Sequence, residues 1–425
     1  MLARALKSSL VRASAVYASS RVINAAIPFL LLPVLTRYLT PEDYGKTAMF
    51  AVLLAFTSPL VGLSLHGAIS VRYFDTKETD IGDYIGNCFF IVAASTLVVG
   101  AVVWLFAGKI SAVAALPIQW LWAIVLLPAV NFAGAVQTTV WQAREQPIRF
   151  ALYSNASTVV NLGLSLLMVV GLGTDWEGRV AAQVMASLTL GSLALFLLCR
   201  GDLGRFRYNP ASVRNALRFG IPLIPHAIGS IVIGQTDRIF LTNMVGVAAT
   251  GVYSIAYQFG MMIELAAGSF NQAYVPWLYR NLGLNDATAK RRIVKLTYLY
   301  FGVILACALL LALIVPPFLR FFVGSAFVGA GDYIFWSALG FAFGGMYYMV
   351  ANYIFYAERT SALASVTFLT AVLNVGFSYA LIRRNGAVGA AQATTLSMFT
   401  SFILTWLVSA RVYPMPWRLW RGPVH

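Results

Sequence analysis

Four ionisable side chains, Arg21, Asp237, Arg238 and Glu264, stand inside long apolar stretches of this chain. A charge at the centre of a membrane helix costs roughly 2.5–3.5 kcal/mol on insertion scales, so such residues face partners, water or a transported solute rather than lipid. Polar and aromatic residues surround them at helical spacing. Ser14, Tyr17, Arg21, Asn24 and Pro28 share one helix face, as do His226, Ser230, Gly234 and Asp237. Tyr253, Tyr257, Met261, Glu264, Gly268 and Asn271 form a third such face, and Tyr348, Asn352 and Tyr356 a fourth, with Asp332 near the start of that segment. His66, Ser70 and Tyr73 add a fifth. Arginine binds phosphate oxygens bidentately, and tyrosine and asparagine suit sugars by stacking and hydroxyl bonding. A buried carboxyl such as Asp237 or Glu264 is a candidate site for a proton or sodium ion. Each residue also has a structural reading: Arg21 snorkelling to an interface, Asp237 and Arg238 as an ion pair, Glu264 as a neutral acid bonded across a bundle. As sequence neighbours on a helix, Asp237 and Arg238 point about 100° apart, which suits two different interfaces.

The elements that carry these residues are membrane helices. Of 425 residues, 60% are hydrophobic and only 11% are charged, against about 25% charged in a soluble domain. Long apolar runs without dyad alternation exclude a β-barrel. We expect an all-α polytopic membrane protein with twelve spans, at 14–37, 47–70, 84–107, 118–141, 151–172, 179–199, 219–243, 250–274, 293–315, 331–356, 361–382 and 387–410. The net charge of +15 does not point to nucleic acid. Basic residues fall in the gaps between apolar runs, and they favour the side that holds the N-terminus by roughly three to one. Both termini are therefore expected in the cytoplasm. Cys88, Cys199 and Cys307 lack metal-ligand spacing, so no metal and no cofactor is expected. Prolines at 28, 33, 59, 128, 222 and 225 read either as packing irregularities or as hinges. Thr40-Pro41-Glu42-Asp43 reads as a helix start, with a threonine cap, a first-turn proline and first-turn acids.

The chain also repeats itself. Asn161-Leu162-Gly163-Leu164-Ser165 recurs as Asn374-Val375-Gly376-Phe377-Ser378, Ala181-Ala182-Gln183 as Ala390-Ala391-Gln392, and Leu35-Thr36 with Gly45 as Leu241-Thr242 with Gly251. The order and near-constant offset indicate duplication of a six-helix unit, with halves at 1–205 and 206–425. An even number of spans per unit makes the halves parallel, and a cleft between such halves can open to either face in turn.

Two segments resemble a known family. Pro33 through Gly45, PVLTRYLTPEDYG, is similar to the end of the first span in Wzx-type polysaccharide-biosynthesis flippases. Asp237-Arg238-Ile239-Phe240-Leu241 and Gly251-Val252-Tyr253-Ser254-Ile255-Ala256-Tyr257 resemble their seventh and eighth spans. The family lies in the multidrug/oligosaccharidyl-lipid/polysaccharide (MOP, MATE-like) superfamily. The resemblance implies two six-helix halves in a V. It also implies transfer of an undecaprenyl-diphosphate-linked oligosaccharide, such as an O-antigen unit of lipopolysaccharide, across a bacterial inner membrane to the periplasmic leaflet. Cationic cleft residues are implied as diphosphate contacts: Arg238 through the matched motif, Arg21 through its span and helix face. Asn24, Tyr257 and Asn271 are the expected sugar or linker contacts, and Asp237 or Glu264 the site of a coupling proton or sodium ion. Other glycan-assembly proteins are possible partners. Rival readings are a multidrug exporter of the same superfamily and a membrane glycan polymerase or ligase. The exporter calls for an acidic cleft rather than one bearing arginine. The enzyme calls for a sizeable outer loop and a catalytic set; the outer gaps are only about 5–15 residues, and no paired acids or Ser/His/Asp set stands out, so the chain is not expected to be an enzyme.

Overall fold

A computed structural model describes the backbone of residues 2–74, 80–201, 203–284 and 286–418, and the side chains among them other than those of 2–15, 18, 21, 28 and 360. Every regular element among the described residues is helical. The chain divides into two compact units, Met1–Ile228 and Gly229–His425.

The first unit contains α1 (Leu2–Tyr38), α2 (Pro41–Gly62), α3 (Leu65–Arg72), α4 (Ile81–Leu105), α5 (Ala107–Ala114), α6 (Leu121–Ala143), α7 (Pro147–Leu166), α8 (Trp176–Arg200), α9 (Pro210–Gly220) and the first turn of α10 (Ile224–Met244). The start of α2 is the one read from the sequence. Asp43 N donates to Thr40 Oγ1 at 3.2 Å and Thr40 N donates to Asp43 Oδ2 at 3.1 Å, a reciprocal capping box with proline at the first helical position. The span expected at 47–70 is not one helix. It breaks at Leu63 and Ser64, whose φ values of 47° and 53° are left-handed. Pro59 lies in the last turn of α2, and a helix-interior proline removes a backbone bond and weakens the turn around it. The break serves packing: a Cβ on Gly220 of α9 would lie 2.2 Å from the Leu63 carbonyl oxygen, so only glycine admits this approach.

The second unit contains the rest of α10, then α11 (Val247–Gly283), α12 (Ala287–Phe322), α13 (Gly331–Tyr356), α14 (Thr360–Asn385) and α15 (Ala387–Val412). The gap expected at 275–292 is mostly helical. α11 runs on to Gly283, and Asp286 caps α12 by accepting from Thr288 N at 3.2 Å and Ala289 N at 3.0 Å. These helices have 37 and 36 residues, longer than the roughly 20 that cross a bilayer. Their shared end carries Arg280, Lys290, Arg291, Arg292 and Lys295.

Each of the twelve expected spans falls on helix, and ten helical stretches among the described residues are long and apolar enough to cross a membrane. The other two expected spans lie in α1, whose apolar part is Val22–Tyr38, and in α11, which carries the polar face of Tyr253, Tyr257, Glu264 and Asn271. The neighbour pattern repeats between units. In the first, α6 packs against α2, α4 and α8, and α7 against α8; in the second, α13 packs against α11, α12 and α15, and α14 against α15.

Candidate functional site

A set of buried polar groups lies in the second unit, where side chains of α10, α11 and α15 meet. Asp237 of α10 is fully buried. Its Oδ2 accepts from the Tyr253 hydroxyl of α11 and, at 2.9 Å, from Thr394 Oγ1 of α15. Its Oδ1 accepts from the Arg238 backbone amide at 2.8 Å and lies 3.7 Å from Arg238 Nη1. Three helices thus converge on one carboxylate, because a charge in a dry interior is tolerated only when paired and hydrogen-bonded.

Arg238 is 7% exposed. Its Nη1 donates to Gly234 O and to Gln235 Oε1, both at 3.0 Å. The guanidinium carbon lies 4.1 Å from the Tyr257 ring centroid and 5.7 Å from that of Tyr253, so the cation rests on two aromatic faces. The divergence expected for Asp237 and Arg238 does not occur. The arginine stem is long enough to curl back over the preceding turn, which returns its charge to the carboxylate one residue earlier.

α11 extends the polar line. Tyr253, Tyr257, Glu264 and Asn271 follow along one helix over about 27 Å at 1.5 Å per residue. Glu264 is half-buried, and its Oε1 accepts from the Tyr348 hydroxyl of α13. Gly344 of α13 leaves room for this carboxylate, since a Cβ there would lie 3.3 Å from Glu264 Oε2. Two helical turns on, Asn271 Oδ1 accepts from Asn352 Nδ2 of α13 at 2.8 Å. Phe270 stacks on Tyr300 of α12 at 4.7 Å between centroids. The expected residues Asp237, Arg238, Tyr257, Glu264 and Asn271 therefore lie in one unit along one run of packed helices.

The two remaining expected residues belong to the first unit. Asn24 Nδ2 donates to Ser154 Oγ and Asn24 Oδ1 accepts from Thr158 Oγ1, both at 2.6 Å, which ties α1 to α7. Arg21 lies on α1, and its side chain is outside the described residues. Sequence reasoning passed over Thr394, Gln235 and Gly344. A lone threonine, amide or glycine in an apolar helix has no periodic signal, and only the meeting of helices gives it a partner. Among the described residues no cluster of three or more His, Cys, Asp or Glu could hold a metal ion.

The arrangement matches known proteins in family and in fold. The family model described as "Polysaccharide biosynthesis protein" matches residues 10–282. An "Uncharacterized membrane protein" of Haemophilus influenzae is 26% identical over 378 residues, covering 87% of this chain and 89% of that protein. The "Succinoglycan biosynthesis transport protein ExoT" of Rhizobium meliloti is 23% identical over 56% of this chain and 47% of its own. Among solved structures, "Lipid II flippase MurJ, inward closed conformation" aligns with a TM-score of 0.75 at 13% identity, covering 94% of this chain and 87% of that one. A likeness at that identity concerns the fold alone. With nearly two thirds of its length matched by the family model, the chain belongs to the polysaccharide biosynthesis protein family.

Proposed function

We propose that the protein is a flippase that moves an undecaprenyl-diphosphate-linked oligosaccharide from the cytoplasmic to the periplasmic leaflet of a bacterial inner membrane by alternating access. In this reading both termini are cytoplasmic, the halves are the two repeats, and no covalent bond is made or broken. The family membership and the transport function named for ExoT support the substrate class.

The observation that carries the reading is the buried Asp237–Arg238 pair, held by Tyr253, Tyr257 and Thr394. Arg238 is both held and releasable. Its charge is balanced by Asp237, so a proton or sodium ion taken up at Asp237 removes that balance. The guanidinium then has reason to seek another anion, and a diphosphate offers several oxygens in bidentate geometry. Arg21 is the second diphosphate contact. Tyr257, Asn24 and Asn271 meet sugar or linker, and Glu264 is the alternative ion-coupling acid. Coupling here is a competition between two anions for one arginine, which requires the ion and the substrate to favour different conformations.

A transport assay in vesicles with Arg21→Ala, Arg238→Ala and the double variant tests the anion contacts. Each single variant is expected to lower the transport rate by about tenfold or more, the loss of one charge-assisted bond, and the double variant to abolish transport. Full activity of the double variant would sink the reading.

A further inference from the structure

A second basic site lies in the first unit. The end of that unit bearing the α3–α4 connection holds an open cavity of about 340 Å³, within the roughly 300–1,000 Å³ range of small-ligand sites. Arg72, Tyr84, Asn215 and Arg218 supply its polar wall, and Val71 and Phe219 its apolar one.

The polar wall is held in place. Asn215 Oδ1 of α9 accepts from the Tyr84 hydroxyl of α4 at 3.0 Å and from Arg72 Nε of α3 at 3.2 Å. Tyr84 is 1% exposed, so the amide is pinned from a buried helix, and the amide sets the plane of the Arg72 guanidinium. Arg218 comes from the register of α9, which buries Ser212, Ala216 and Gly220 and turns Arg214 and Arg218 outward. The helix is fastened from both sides. Asn209 caps it by accepting from Ala211 N at 2.9 Å, and Asn87 of α4 holds the preceding strand of chain by donating to Arg207 O and accepting from Asn209 N, both at 2.8 Å. Among the described residues no acid lines the cavity, and Asp80 is engaged by Arg205 Nη1 at 2.7 Å.

The apolar wall narrows the ligand. Val71 is 62% exposed and Phe219 36%, and they are flanked by Phe74 and Ile221, also exposed. A small inorganic anion would use the arginines and leave this surface bare. A basic pocket at a membrane protein's interface with an apolar rim suits a phosphate that carries a hydrocarbon chain.

We propose that this cavity binds the phosphodiester headgroup of an anionic membrane phospholipid, with Arg72 and Arg218 on the phosphate and Val71 and Phe219 against the first acyl carbons. Bound lipid bridges α3 and α9 and so clamps the segment that leads into α10. The site shares no residue with the proposed transport path.

The test is thermal melting of the full-length protein in an uncharged detergent, titrated with short-chain phosphatidylglycerol, phosphatidylcholine, inorganic phosphate or an isoprenyl diphosphate. Phosphatidylglycerol is expected to raise the melting temperature at about tenfold lower concentration than phosphatidylcholine, with no response to phosphate at that concentration. Arg218→Gln, on the exposed face of α9, is expected to raise the half-saturating concentration by about tenfold, the loss of one charge-assisted bond. Arg72→Gln also breaks the bond to Asn215, so Arg72→Lys, which keeps the charge, is the companion variant and is expected to retain part of the response. Equal responses to both phospholipids, a matching response to inorganic phosphate, or an unchanged titration in Arg218→Gln overturns the proposal. Stronger stabilisation by the isoprenyl diphosphate that is lost in Arg218→Gln also overturns it, assigning the pocket to the substrate.

Discussion

At the scale of single residues, Asp237 is the group on which most depends. Its two oxygens receive the Tyr253 and Thr394 hydroxyls and the Arg238 amide, and its charge faces the Arg238 guanidinium. Asp237→Ala strands an arginine in the interior, which costs about 3–5 kcal/mol when a buried pair is broken. Asp237→Asn keeps the shape and one acceptor, and is expected to cost about 1–3 kcal/mol. Melting of the purified variants should rank them in that order, and equal melting temperatures for wild type and Asp237→Ala would contradict the buried pair. These residues were readable from the sequence as a set, because ionisable groups in apolar runs stand out. Their mutual geometry was not. The curl of Arg238 back to Gly234 and Gln235, and the arrival of Thr394 from a helix 157 positions away, depend on packing. The same holds for Asn24, which its sequence position suggested as a sugar contact and which the structure shows bonded to Ser154 and Thr158.

At the scale of elements, α9 and the chain before it are held by close backbone approach. A Cβ on Gly86 would lie 1.9 Å from the Arg205 carbonyl oxygen, and one on Gly220 would lie 2.2 Å from that of Leu63. Both obstacles are backbone, so neither can swing aside. Gly220→Val is expected to loosen α9 from the Leu63–Ser64 break at about 1–3 kcal/mol, as overpacking does. Limited proteolysis should then cut the 201–220 stretch several-fold faster than in wild type; an unchanged rate would mean the contact is dispensable. Helix starts were legible wherever a cap is written locally, as at Thr40. The break after Gly62 and the helical reach of α11 beyond residue 274 were not, because the first needs α9 as a partner and the second continues past the apolar run that marks a span.

At the scale of the molecule, the two units share one pattern of helix pairings. Five helix pairings of the first unit recur in the second once α2, α4, α6, α7 and α8 are matched to α11, α12, α13, α14 and α15: α2–α6 with α11–α13, α4–α6 with α12–α13, α6–α8 with α13–α15, α7–α8 with α14–α15 and α2–α4 with α11–α12. The sequence echoes sit in this frame. Asn161 on α7 accepts from Arg179 Nη1 of α8 at 3.0 Å, and its counterpart Asn374 on α14 donates to Ser397 of α15 at 2.9 Å. The echo therefore marks helix pairing, and the proposed chemistry lies where the units differ. The proposed coupling belongs to this scale, because it would need an ion gradient across the membrane. Collapsing the proton and sodium gradients in vesicles is expected to lower the initial transport rate by at least about tenfold, which corresponds to about 1.4 kcal/mol and lies within the usual range of coupling energies. Asp237→Asn should remove the dependence on the gradient, whereas Glu264→Gln should retain it. A rate indifferent to both gradients would rule out ion coupling.

The sequence by itself determined that the chain is a membrane protein of helices, which stretches of it are apolar enough to form them, and which residues within them are too polar for lipid. Each of these follows from local composition and from spacing along a single helix, and lipid enforces them one helix at a time. Only the tertiary structure decided that Asp237 and Arg238 form one pair rather than serving two interfaces, that Thr394 completes their shell, and that Arg72 and Arg218 line one cavity under α9. Those facts depend on which helices become neighbours and at what register, and that is set by the fit of side chains between helices, which no single stretch of the chain contains.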